Sequence, residues 1–233
     1  MSLKSLMSYT FVSKYARWDS KKLRRETWGE SVDRVRQMMI DKYVADSPHT
    51  KEIAKHIDQA YGDMKKKKIL GSQRALQFGG SPVFKHNARI YNCIASYIDR
   101  TRFFQECMYL LLCGCGTGFS VQKHHIAKLP NLIKGKSGQK KYIIDDSIEG
   151  WSDAVGVLIS SYFEGDDLFP EYNGKTVVFD YSGIRPAGSY LKSSGGKAPG
   201  PEPLKNALTS IKKTLDNAIK NGQKKLKPIE AYD

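Results

Sequence analysis

The 233-residue sequence predicts an α/β protein with a helical region at its N-terminus and alternating strands and helices after it. Three observations carry that prediction. Apolar residues recur at helical spacing in several segments, a β-branched run at 175–181 has the length of a buried strand, and helix-cap residues punctuate the boundaries. Two periods alternating along one chain mark this class. A hydrophobic content of 40% is enough to bury a core and excludes a disordered tail.

Taken in order, residues 1–14 read as a loose leader. Over 21–43, Trp28, Val32, Val35 and Met39 stand at offsets of 4, 7 and 11, which is one helix face. Ser47 before Pro48 reads as an N-cap with proline at the first helical position. The helix it opens buries Ile53, Ile57 and Tyr61 and frays into the lysines at 65–68. Loops and short strands are expected over 70–97, broken by Gly71, Gly79, Gly80 and Pro82. Asp99 or Thr101 then caps an apolar helix carrying Phe103, Phe104, Cys107, Met108 and Leu111. It meets a glycine-rich turn, Gly114 to Gly118, and a strand is expected over 119–122.

Ser147 caps an amphipathic helix with Trp151, Val155, Leu158, Ile159 and Tyr162 on one side. The 175–181 strand leads into a glycine- and proline-rich loop at 183–203. The closing helix, 204–220, has Leu208, Ile211, Leu215 and Ile219 in register and stops at Asn221 and Gly222. Residues 225–233 read as the lead-in to one more helix. The expected division is a helical region at 1–70 and an α/β part at 71–233.

No stretch reaches the ~18 apolar residues of a membrane span, and the N-terminus lacks the apolar core of a signal peptide. A cytoplasmic chain with no membrane partner is expected. The net charge of +14 favours polyanionic partners, but the lysines are spread widely and the interleaved aromatics of a single-strand binder are absent. That argues against nucleic acid. Cys93, Cys107, Cys113 and Cys115 fall within 23 positions, unlike a disulfide-stapled secreted domain. Cys113, Cys115, His124 and His125 could be read as a zinc set, yet the spacing matches no common structural site, so no metal is expected. The 114–120 turn is no Walker loop either, since it lacks the lysine and precedes a strand.

Four segments belong together. They are Tyr15-Ala16-Arg17-Trp18 with Arg24 to Trp28 and Val32 to Arg34; Arg89 to Cys93; Leu110 to Val121; and Ile184 to Gly188 with Gly195 to Pro203. In this order and spacing the sequence resembles the catalytic chain of adenosylcobalamin-dependent ribonucleoside-triphosphate reductases, the monomeric class II type. The resemblance covers most of this chain but only the first half or less of such an enzyme. It implies the first half of a ten-stranded α/β barrel, incomplete on its own.

It also implies roles. Cys93 matches the reducing cysteine on the first barrel strand, one of two thiols that become a disulfide as the 2′-hydroxyl leaves as water. Gly79, Gly80 and Ser81 match the loop that helps hold the substrate's phosphates. Asn92, Gly114 and Gly116 match positions close to the substrate. The 183–203 loop resembles the specificity loop that answers to a deoxynucleotide effector, with Arg185, Lys192, Gly195, Gly196 and Lys197 as candidate contacts. Two departures stand out: Ile94 follows Cys93 where the family has serine or a small residue, and Cys115 replaces a usual threonine.

The radical-forming cysteine, its glutamate and asparagine, the C-terminal cysteine pair and most of the cobalamin site would lie beyond Asp233. The expected partners are therefore the C-terminal half, in trans or after splicing, a ribonucleotide substrate and a thioredoxin-like reductant. The alternative is a non-catalytic nucleotide-binding paralogue or an inactive fragment.

Overall fold

The structure, a computed structural model, describes residues 2–45, 47–135, 137–191 and 196–233. The chain divides into two compact units, Met1–Asn92 with Leu191–Gly196, and Cys93–Tyr190 with Lys197–Asp233.

The first unit begins with helix α1 (Leu3–Lys14), capped by the Ser2 hydroxyl and burying no residue, where a loose leader was expected. A small antiparallel hairpin follows, β1 (Trp18–Asp19) and β2 (Arg24–Arg25). Helix α2 (Trp28–Tyr43) therefore starts seven residues after the expected 21. The reason is chemical. Thr27 Oγ1 accepts from the Glu30 amide while the Glu30 carboxylate accepts from the Thr27 amide, a reciprocal cap. The same carboxylate holds Lys22 and Arg24, which fixes the hairpin against the cap.

Helix α3 (Thr50–Lys65) starts after Pro48 and not at it, with Ser47 Oγ accepting from the His49 amide. Its Ile53, Ile57 and Tyr61 are half-buried, and Met64 is the buried residue. Val32, Val35 and Met38 of α2 pack with Met64, Ala75 and Leu76 in one core. The Trp28 indole N–H, donating to the Met64 and Lys65 carbonyls, ties the start of α2 to the end of α3. Where loops and strands were expected, two short helices, α4 (Gln73–Phe78) and α5 (Ser81–Lys85), and a 3₁₀ turn at Asn87–Ile90 complete this unit.

The second unit holds two parallel strand pairs. Strand β3 (Cys93–Tyr97) runs into helix α6 (Arg102–Leu112) and returns as β4 (Gly116–Ser120). Thr101 stands at the N-cap of α6 without a side-chain bond. Strand β4 begins three residues before the expected 119, because the glycine-rich segment itself pairs with β3. Helix α7 (Lys123–Ile126) precedes β5 (Gln139–Ile143), which crosses by α8 (Ile148–Ser160) to the parallel β6 (Thr176–Asp180). The chain closes with α9 (Glu202–Lys220) and α10 (Pro228–Tyr232), the latter started by the Glu230 carboxylate accepting from the Lys227 amide.

Helix α8 is the centre of this unit. It was expected to be amphipathic, yet it is buried on nearly every side, from Gly150 through Ser160. Two glycines allow that. A Cβ at Gly150 would lie 2.4 Å from the Asp145 carbonyl oxygen, and one at Gly156 2.7 Å from the Phe169 ring. Around it gather Phe103, Ile144, Leu204, Leu208 and Leu215. Among the described residues no helix is long and apolar enough to cross a membrane.

Ser147 Oγ accepts from the Gly150 amide at 3.0 Å, the cap expected from the sequence. Replacing Ser147 by alanine is expected to lower the stability of this unit by about 1 kcal/mol. A urea titration would read it as a lower midpoint at unchanged slope, and an unshifted midpoint would remove the cap from this account.

Candidate functional site

Cys93 opens β3, and its partner across the parallel pair is Gly116; Ala95 stands opposite Gly118 and Tyr97 opposite Ser120. Alternation along a strand puts Cys93, Ala95 and Tyr97 on one face with Gly116 and Gly118. That face is exposed along β3 and at both glycines. A Cβ added at Gly118 would meet nothing nearer than the Ile94 carbonyl at 3.9 Å, so the floor beside Cys93 is bare backbone. Of the four thiols, Cys93 is exposed, Cys107 half-buried, and Cys113 and Cys115 buried. Burial pushes the Cys107 thiol up from its ordinary range, which keeps it protonated and unreactive at neutral pH.

Gly114 has its own structural reason. It is the left-handed residue (φ +88°) that ends α6, with its amide donating to Leu111 and the Cys115 amide to Leu110. This turn aims β4 back alongside β3. Tyr97 stacks on His125 with ring centroids 4.7 Å apart, and His124 lies 4.0 Å from His125. Burial, then the charges of His124 and Lys128, hold His125 below its usual pKa, against the pull of Asp99.

The 183–203 loop is closed at its base. The Gly188 amide donates to Ala198 and the Ala198 amide to Ser189. Gly188 and Gly200 both take positive φ, and a Cβ at Gly200 would lie 2.9 Å from the Ala187 nitrogen. Arg185 is engaged with Asp146, its Nε donating at 2.5 Å. Lys197 pairs as an isolated bridge with Tyr190, and the Gly196 carbonyl accepts from the Leu191 amide. The expected contacts Lys192 and Gly195 lie outside the described residues.

Gly79, Gly80, Ser81 and Asn92 belong to the first unit. There Gly79 ends α4 and Gly80, at φ +93°, turns the chain into Ser81 at the start of α5. The residues that hold this turn are visible in the sequence, but what they do there is not. Arg34 donates to the Leu76 and Gly79 carbonyls at 2.6 and 3.0 Å, and grips both oxygens of Glu26 at 2.7 and 2.8 Å. Arg17 donates from Nε to the Gln77 carbonyl at 3.2 Å. Guanidinium groups thus cap the carbonyl end of α4, where the helix dipole favours cations. The pattern was readable only as scattered arginines, since their convergence is tertiary.

Burial alone would raise the Glu26 pKa, but the Arg34 bonds and charge, the Ser31 hydroxyl and the Arg17 amide outweigh it and hold it below the usual range. A depressed folded pKa stabilises above the unfolded pKa and is lost as pH falls through the folded one. Glu26→Gln is therefore expected to destabilise the fold near neutrality by about 3 kcal/mol, as for removal of one partner of a shielded pair, with the gap to wild type shrinking as pH falls through and below the ordinary carboxylate range. Denaturant titrations across that range check this; a pH-independent gap would mean that the carboxylate charge contributes nothing.

The chain is similar to known proteins along nearly all its length. Residues 122–215 match the family described as the B12-dependent ribonucleotide reductase insertion domain, a part the sequence alone does not announce. The adenosylcobalamin-dependent ribonucleoside-triphosphate reductase of Lactobacillus gasseri is 27% identical over 284 residues, covering 96% of this chain and 37% of that protein. The protein of the same description from Lactobacillus helveticus is 28% identical, again covering 96% of this chain and 37% of its own length. A crystal structure of a B12-dependent, class II ribonucleotide reductase has the same fold, with a TM-score of 0.83 at 24% identity, over 97% of this chain and 38% of that one. The chain spans little more than a third of the length of these relatives. The chain is thus similar, over nearly all its length, to a part of class II ribonucleotide reductases.

Proposed function

We propose that this chain is the N-terminal portion of a ribonucleoside-triphosphate reductase, which converts ribonucleotides to deoxyribonucleotides when the remainder of the enzyme completes it. The observation that carries the reading is the exposed Cys93 thiol beside the bare backbone of Gly116 and Gly118. A ribose can approach that floor closely because no side chain stands on it. Cys93 supplies one of two thiols. Their oxidation to a disulfide releases two electrons and two protons; the 2′-hydroxyl leaves as water and a C–H bond takes its place.

In this reading Gly79, Gly80 and Ser81 hold the substrate's phosphates, and Asn92, Gly114 and Gly116 border the substrate. Arg185, Lys192, Gly195, Gly196 and Lys197 belong to a loop that answers to a deoxynucleotide effector. The division into a helical region at 1–70 and a barrel part at 71–233 goes with it. The partners are the C-terminal part of the enzyme and a thioredoxin-like reductant.

The relatives' names carry adenosylcobalamin, which initiates radical chemistry when bound. The apolar cavity between α6, α8, α9 and α10 measures about 280 Å³, below the range of drug-sized ligand pockets. That cavity is too small for a corrin, and in this reading the cofactor is held mainly by the remainder of the enzyme, with this chain contributing a thiol, a floor and loops.

In the completed enzyme, Cys93→Ser is expected to abolish multiple turnover with thioredoxin as reductant while leaving ribonucleotide binding intact. Turnover assays and equilibrium binding on the same preparation decide it; normal turnover in the serine variant would end the catalytic assignment.

A further inference from the structure

Lysines that are scattered along the sequence are gathered by the fold at one place. Residues 127–134 and 220–227 carry six of them, Lys128, Lys134, Lys220, Lys224, Lys225 and Lys227, with no aspartate or glutamate in either segment. The two segments lie side by side. The Leu132 amide donates to the Lys224 carbonyl at 2.7 Å, and the Lys225 ammonium donates to the Ala127 and Leu129 carbonyls at 2.5 and 2.7 Å. Leu129, Leu132 and Leu226 are buried in the core of this unit, whereas all six lysines are exposed. The leucines anchor the segments, and the lysines among them are left to the surface.

The charge at this place is segregated. Like charges crowded on one surface repel, and a chain with 24 aspartates and glutamates has the means to neutralise them. Elsewhere it does so: Glu30 holds Lys22 and Arg24, Asp58 holds Arg36, Asp33 holds Lys65 and Asp180 holds Lys141. In the two segments the one ion pair among the described residues is Lys128 with Asp99, at 3.7 Å. The other carboxylates bonded to them hold neutral groups. Glu164 accepts from the Asn131 side chain, and Glu230 from the Gln223 side chain and the Lys227 amide. Six ammonium groups thus stand against three carboxylates, and the surplus is positive.

What the segments lack indicates the partner. Neither holds an arginine or an aromatic residue, so there is no planar fork for a phosphate and no ring on which a base could stack. Their leucines are buried and Ile133 is half-buried, so no large apolar side chain of theirs is exposed. A permanent interface has an apolar centre; exposed lysines without one suit a partner that is steered in by charge and leaves again. Lysine ammonium groups are point charges, which pair with single carboxylates without requiring a fixed plane.

We propose that residues 127–134 and 220–227 form a docking surface for an acidic segment of a separate protein, bound reversibly through its carboxylates. The charge of Lys128 acts on His125, which stacks on Tyr97 of β3. The surface therefore adjoins the end of β3 opposite to Cys93, roughly 13 Å from it along the strand. The inference does not rest on the reading of Cys93, since it concerns charge and not redox chemistry.

The test is fluorescence anisotropy of a labelled polyglutamate peptide titrated with the full 233-residue chain, beside a thymidine oligonucleotide of matched charge. The peptide is expected to bind at low salt, more tightly than the oligonucleotide, and to weaken about tenfold between about 50 and about 200 mM salt as exposed charges are screened. Lys220→Glu combined with Lys224→Glu should weaken the peptide about tenfold at low salt. Lys51→Glu combined with Lys55→Glu, exposed on α3 and equal in net charge, should leave it unchanged. Circular dichroism on each variant separates lost binding from lost folding, and the wild-type titrations decide even where a variant unfolds. No binding of the peptide, folded Lys220/Lys224 variants that bind it like wild type, or equal weakening by the α3 variant would overturn the proposal. Tighter binding of the oligonucleotide would overturn it too, and would make the surface a nucleic-acid site.

Discussion

The parallel register that sets Cys93 opposite Gly116 is the constraint on which the candidate site depends. Two parallel strands cannot be joined by a tight turn; they require a crossover, here α6. The crossover must end so that the chain reverses within two residues, which Gly114 allows in its left-handed conformation. A single-residue slip of β4 would place Cys115 or Thr117 opposite Cys93 and fill the floor with a side chain. The glycines at 114, 116 and 118 therefore do different things: the first ends a helix, the other two keep one face of a strand bare.

In the first unit the same economy of backbone is achieved with charge. Arg34 and Glu26 form a pair that is mostly shielded from water, with side chains 16% and 14% exposed. Such a pair contributes little net stability against an apolar substitute, but it is costly to break. Its value lies in geometry, because the fork of Arg34 fixes two carbonyls of the α4 terminus at once. The turn that follows is thereby held in place.

Much of this was legible in the sequence where local chemistry decides. The Ser147 cap, the apolar stripe of α9 and its stop at Gly222 follow from residues within one or two turns. What failed was set by tertiary partners. A helix start was expected at 21, but Thr27 and Glu30 cap later and Glu30 recruits Lys22 and Arg24 into a hairpin. Residues 116–118 look like a turn because glycine disfavours strands, yet the ladder with β3 overrides that preference. The 73–85 segment was masked by its glycines, which end and restart helices here and do not signal strands. At the site, Cys93 and the glycines were visible as a motif; the arginine cluster was not, because Arg17, Arg34 and Arg89 meet only after folding.

Sheet physics gives the exposed Cys93 face its meaning. Parallel strands are stable almost only where both faces are covered, and an isolated two-stranded pair is marginal in water. Here β4 has α6 packed against it, while Cys93, Ala95 and Tyr97 of β3 remain exposed. The β5–β6 pair repeats the pattern, with Ile143 and Val178 64% and 45% exposed beside the Lys141–Asp180 ion pair. Two such parallel faces stand open in this unit, and under the proposed function further strands of the completed enzyme would cover them. In that proposed role Cys93 would gain from the arrangement, since a cover that stabilises the sheet would also exclude water and stray oxidants from its thiol. The features that make this part of the fold thermodynamically unfinished are the ones its proposed chemistry requires.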